Sequence, residues 1–235
     1  MYSSFIYIYR FNEATDGEIA IPCGAIQRHS RFCYGLTGEW PAYQPRAGSF
    51  IWRDKNGNGK FDEDEYESIP SEIGLDNVDD SGNIYFGGNL SYFECQGLDE
   101  IGNPVYSFKN IVHLGTPQPF TDVRKAVYDS KWDNMFVTGT TANNDNSYNV
   151  GPVFAVYPNW SKGNRTAAWT KAYSRPYQGF AAKGDYLFAA YAYDENSWSI
   201  DVFSAKDGSE VGNLASRQLG QFGWIDIPWG AIAAQ

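Results

Sequence analysis

The sequence predicts an all-β protein, and three observations carry that expectation. Of 235 residues, 15 are Phe, 17 Tyr and 8 Trp, interleaved with 24 Gly and 11 Pro. That mixture joins strand formers to turn formers. No stretch longer than about eight residues carries the apolar period of a helix. One short pattern also recurs: Gly82-Asn83-Ile84-Tyr85-Phe86-Gly87-Gly88, then Asp133-Asn134-Met135-Phe136-Val137-Thr138-Gly139, then Gly184-Asp185-Tyr186-Leu187-Phe188-Ala189-Ala190, each 51 residues after the last. Every copy opens on a turn-forming pair, runs through apolar residues and closes on small ones, the profile of a strand packed on both faces. The three segments are expected to be inner strands of equivalent units.

The other elements follow in chain order. Residues 5–11 read as a strand that turns at Asp16-Gly17 into residues 18–21. Residues 50–53 and 66–69 form a second hairpin, with residues 54–65 between them. After the first inner strand, residues 92–95 turn at Gly102-Asn103 into 105–108; after the second, 153–157 turn at Gly163-Asn164 into 167–169. After the third, residues 199–203 turn at Asp207-Gly208 into 210–212. These are expected to be outer hairpins, five in all, and residues 223–232 read as further inner-strand material.

Repeated four-stranded units of roughly forty to fifty residues are how a β-propeller buries each sheet on its neighbours and leaves only short edges. At this period the chain holds about 4.6 units. Two architectures stay open: about five blades, closed by pairing the C-terminal strands with the N-terminal hairpin, or a fragment of a larger propeller. No Pro/Ser-rich linker interrupts the chain, so residues 1–235 are expected to form one domain with residues 54–65 as an insertion. Unpaired terminal strands are a route to self-association.

Here the chain resembles known families. Val78-Asp79-Asp80-Ser81-Gly82-Asn83-Ile84-Tyr85-Phe86 looks like the strand entry of NHL-type and related bacterial propellers. Residues 50–59 and 223–228 are similar to segments of large secreted bacterial propeller proteins. The resemblance implies a fold rather than an activity, because propellers carry binding, hydrolase, lyase and dehydrogenase functions alike.

Charge and composition exclude several classes. With 28 acidic against 18 basic residues, a net of −10, and arginines scattered along the chain, nothing marks a nucleic-acid binder. No apolar run approaches the eighteen or so residues of a membrane span, and residues 1–4 lead into the first strand without a basic segment or cleavage-like site. Neither membrane insertion nor a signal peptide is expected from this chain. Cys23, Cys33 and Cys95 lack CxxC spacing and a nearby His, which leaves buried free thiols or a Cys23–Cys33 disulfide. His29 and His113 are the only histidines. His113 reads as a strand residue, and a Ser-His-Asp or Cys-His mechanism is disfavoured.

Residues 54–65, Asp-Lys-Asn-Gly-Asn-Gly-Lys-Phe-Asp-Glu-Asp-Glu, match the calcium-loop pattern D-x-[DN]-x-[DN]-G-x5-E throughout. Ca²⁺ takes six to eight oxygens at about 2.3–2.6 Å, and such a loop wraps it with side chains, one carbonyl and a terminal bidentate Glu. The ligands would be Asp54, Asn56, Asn58, Lys60 through its carbonyl, Asp62 and Glu65, with Gly59 at the sharp turn. Strand patterning on both flanks argues against an EF-hand domain and for a loop grafted onto a hairpin. Two neutral Asn ligands suit Ca²⁺-rich surroundings, so the protein is expected to be extracellular or periplasmic, with the ion as a stabiliser.

Further candidates are weaker. Glycosidases place two carboxylates about 5–9.5 Å apart, and Asp79, Asp80, Asp129, Asp133 and Asp226 stand near predicted inner-strand starts. Asp before a strand more often holds a turn by accepting from backbone amides; Asp226, between two isoleucines, is the exception. Trp40, Tyr43, Trp160 and Trp198 lie in loop segments where they could stack on a sugar ring. The sequence points to a calcium-stabilised extracellular propeller binding a glycan or other polar ligand at its channel mouth. A carbohydrate-active hydrolase or lyase, and a non-catalytic interaction scaffold of a larger secreted protein, are the alternatives.

Overall fold

A computed structural model of the chain describes residues 5–28, 41–145, 150–192 and 198–214. Among them the fold is all-β, with short 3₁₀ turns as the only helical elements. The first sheet holds β1 (Phe5–Arg10), β2 (Ile21–Gln27), β3 (Ser49–Arg53) and β4 (Tyr66–Ile69). The second holds β5 (Asn77–Val78), β6 (Ile84–Phe86), β7 (Ser91–Phe93) and β8 (Ile111–His113). The third holds β9 (Phe120–Asp129), β10 (Asn134–Thr141), β11 (Val153–Pro158) and β12 (Trp169–Ala172). The fourth holds β13 (Tyr177–Lys183), β14 (Tyr186–Ala192), β15 (Trp198–Ser204) and β16 (Glu210–Asn213). In every sheet the strands lie side by side in chain order.

The chain divides into two compact units. One comprises Met1–Leu75, Gly82–Ile84 and Tyr92–Val112; the other comprises Asp76–Ser81, Tyr85–Ser91 and His113–Gln235. In the first unit Ala25, Phe50 and Trp52 form a small core covered by Tyr7, Phe61 and Tyr66. In the second, Phe154 is ringed by Tyr173, Tyr177, Phe180 and Phe203 at centroid distances of 4.8, 5.5, 5.2 and 6.0 Å. Burying one such ring contributes about 1.5–3 kcal/mol, and tilted or edge-on pairs add to that.

The 51-residue repeat marks equivalent strands, but at a different position from the one expected. It falls on β6, β10 and β14, the second strands of the second, third and fourth sheets. The first strands of these three sheets lie against one another instead: β9 packs against both β5 and β13. An apolar run closing on small residues reports crowding on both sides, and a strand hydrogen-bonded to two neighbours supplies that crowding. A Cβ on Gly139 would stand 2.1 Å from the Asp122 carbonyl oxygen, and one on Gly87 2.3 Å from that of Val123.

Of the five predicted outer hairpins, four are the third and fourth strands of their sheets. The N-terminal one is instead β1–β2, which joins β3–β4 in a single sheet. Four sheets therefore account for the described residues, against the roughly five units expected. Residues 223–232 lie outside the described residues. The strand expected at 105–108 is displaced: Phe108–Asn110 is a 3₁₀ turn whose Ser107 hydroxyl accepts from the Lys109 amide, and the strand follows at Ile111–His113.

Candidate functional site

Two constellations, one in each unit, bring the sequence candidates together. In the first unit, β3 runs into residues 54–65 and β4 follows. Asp54 is wholly buried and Glu65 nearly so, at 0% and 3% exposure. Asp54 Oδ1 accepts from the amides of Gly57 and Asn58 at 2.8 and 3.1 Å, and Oδ2 accepts from Gly59 at 3.0 Å. Gly57 and Gly59 take φ of +77° and +68°, which favours residues without a Cβ. Asn56 and Asn58 each accept from the amide two residues on, and their Nδ2 groups both donate to Asp62 Oδ2 at 2.8 Å. Those two donors hold the Asp62 carboxyl below its ordinary value.

Glu65 is held at the far end of the loop. Its Oε2 accepts from the Trp52 indole at 2.9 Å and its Oε1 from the Lys55 amide at 2.7 Å. Trp52 also packs on Phe61, with ring centroids 4.4 Å apart. Among the described residues no group of three or more His, Cys, Asp or Glu side chains is placed to hold a metal ion. A cation here would therefore draw on the oxygens of Asn56 and Asn58 and the Lys60 carbonyl beside the carboxylates. That all-oxygen donor set suits a hard cation, and carboxylate oxygens that accept one or two hydrogen bonds keep lone pairs for it.

In the second unit, β5, β9 and β13 border a cleft of about 180 Å³. Asp76, Asp80, Lys125, Asp129 and Lys183 are among its lining residues. Lys125 Nζ donates to Asp76 Oδ1 at 3.0 Å, and Lys183 Nζ stands 3.7 Å from Asp80 Oδ1. The other Asp80 oxygen accepts from the Ser130 hydroxyl at 2.9 Å. Asp129 is buried and accepts from the amides of Lys131, Trp132 and Gly184, and Asp79 accepts from Ser81. These two acids hold turns, the commoner duty of Asp ahead of a strand. Asp133 likewise accepts from the Tyr128 hydroxyl and from the Ser161 amide and hydroxyl.

Of the aromatic candidates, neither Trp160 nor Tyr43 lines this cleft. Trp160 is 5% exposed, with the Arg165 guanidinium 3.6 Å above its ring and Tyr157 edge-on against it, so it has no face to offer a sugar. Tyr43 is 61% exposed and belongs to the first unit. Trp198 opens β15, while Trp40 and Asp226 lie outside the described residues. Cys23 is a buried free thiol pushed up to about 11 by burial, and Cys95 is free and half-buried; Cys33 lies outside the described residues. His113 is a strand residue, as expected, with Nδ1 3.0 Å from the hydroxyl of the buried Ser91.

Sequence reasoning missed Asp76, Lys125 and Lys183. A signal existed, since Lys183 directly precedes one copy of the repeat and the other two lie within eight residues of theirs. No known family model matches the chain, and no curated protein matches it.

Proposed function

We propose that this chain is a calcium-stabilised, extracellular β-propeller module that binds a glycan or another polar ligand at the mouth of its channel without transforming it. The observation that carries this reading is the cleft bordered by three first strands. There two lysines alternate with carboxylates, so donors and acceptors face one small volume. A polyhydroxylated ligand uses both kinds of partner, and a cleft of about 180 Å³ admits one small ring or the end of a chain.

The hydrolase reading has less support. A glycosidase needs one carboxyl able to hold a proton and another able to attack or to activate water. Here Asp76 and Asp80 are each paired with a lysine, and Asp129 is committed to backbone amides. A glycan array followed by calorimetry tests the proposal. The expected result is a polar ligand whose binding falls at least tenfold in Lys125→Ala and Lys183→Ala, with no reducing ends released on incubation. Binding untouched by both substitutions, or turnover of the ligand, would overturn it.

A further inference from the structure

The calcium loop is gripped from outside by a turn about forty residues further along the chain. Asn103 is wholly buried, and its Nδ2 donates to the backbone carbonyl of Asp54, the residue that opens the loop. Asn103 is itself fixed: its amide donates to Asp99 Oδ1 at 2.9 Å, and its carbonyl accepts from the Asp99 amide at 2.9 Å. Asp99 in turn is paired through Oδ2 with Arg53, the neighbour of Asp54, at 2.7 Å. Arg10 completes the grip by donating to the Gly57 carbonyl inside the loop at 3.2 Å and to the Ile101 carbonyl inside the turn at 3.1 Å.

We propose that Arg10, Arg53, Asp99 and Asn103 form a brace that holds residues 54–65 in their cation-binding conformation before the ion arrives, so that affinity is set partly from outside the loop. This rests on the reading that the loop binds Ca²⁺. A twelve-residue loop made of Asx turns loses backbone freedom when it closes on an ion. Any contact that removes this freedom beforehand lowers the cost of binding. Asn103 and Arg10 restrain two carbonyls of the segment whose amides converge on Asp54, the first ligand. None of the four brace residues belongs to the ligand set, so they are positioning residues. By reciprocity, the ion must tighten the turn at 99–103 as much as the turn favours the ion.

Calorimetric titration of the whole chain with Ca²⁺ alone tests this, using wild type, Asn103→Ala and Arg10→Met, with the melting temperature measured in Ca²⁺ and in chelator. The expected result is a five- to twentyfold weaker Kd in both variants. The gap between the two melting temperatures should shrink accordingly, because a tenfold loss removes about 1.4 kcal/mol of ligand-linked stabilisation. A merely structural contact would lower both melting temperatures together and leave Kd alone; that result in either variant overturns the brace. Arg10→Met keeps the side-chain stem and reports even where Asn103→Ala fails to fold. Absence of any Ca²⁺ binding by wild type overturns the calcium reading itself, a different outcome from equal affinities in wild type and variants.

Discussion

Asp201 shows how one buried charge is kept in this fold. It is wholly buried in β15 and accepts from the Tyr177 hydroxyl at 2.7 Å, Asn213 Nδ2 at 2.8 Å and the Ser199 hydroxyl at 3.0 Å, with Arg175 as its ionic partner. Burial alone would raise its pKa, but those hydrogen bonds outweigh burial and hold it below the ordinary aspartate value. A carboxyl depressed on folding contributes stability above its unfolded value and loses it as pH falls through the folded value. Asp201→Ala should therefore cost about 3 kcal/mol in urea unfolding at pH 7, since it leaves buried donors unpaired. The gap to wild type should narrow as the pH falls from the ordinary aspartate value through the depressed folded one. Equal urea midpoints at pH 7 would dismiss the effect. At neighbouring scale, the burial that lifts the Cys23 thiol predicts that iodoacetamide labels Cys95 well before Cys23 in the native protein, which peptide mapping would read directly.

At the scale of elements, residues 54–65 behave as one unit because Asp54 and Glu65 anchor both ends. Chelation should lower the melting temperature, with Asp54→Ala and Glu65→Ala abolishing most of the Ca²⁺ response and Asn56→Ala less of it, since Glu65 supplies two oxygens and a full charge. Melting curves unaffected by chelator would reject the site. Among the strands, Gly139→Ala should destabilise by about 2–3 kcal/mol, because its new Cβ meets a backbone carbonyl that cannot swing aside. Gly212→Ala in β16, with open space around it, should stay within about 0.5 kcal/mol. Comparing their denaturant midpoints separates close approach from mere loss of glycine. The repeat was legible because turn pairs, apolar runs and small residues each have a local cause. Strand position within a sheet was not, because β10 reads the same wherever its two neighbours come from. Trp160 was misjudged for a similar reason: only the folded loop brings Arg165 over its ring.

At the scale of the molecule, four sheets of consecutive strands were legible as a class, and the two-unit division was not. A boundary that places Gly82–Ile84 in one unit and Tyr85–Ser91 in the other leaves no linker for composition to reveal. The cleft escaped for a related reason. Its walls come from three strands separated by tens of residues, and no local pattern states that β9 will lie against both β5 and β13. The same division has a consequence for biosynthesis. Every residue of the first unit is at or before Val112, whereas the second unit takes nearly all of its chain after it. Strands that pair in the order of their making require no distant partner, which keeps loop closure short and formation fast. On the ribosome, the first unit holds its whole complement of chain before β9 has been made. Ribosome-stalled chains with residue 112 clear of the exit tunnel should already resist protease through β4, with the 54–65 loop and the contacts that hold it assembled while β9 and the strands after it have yet to emerge.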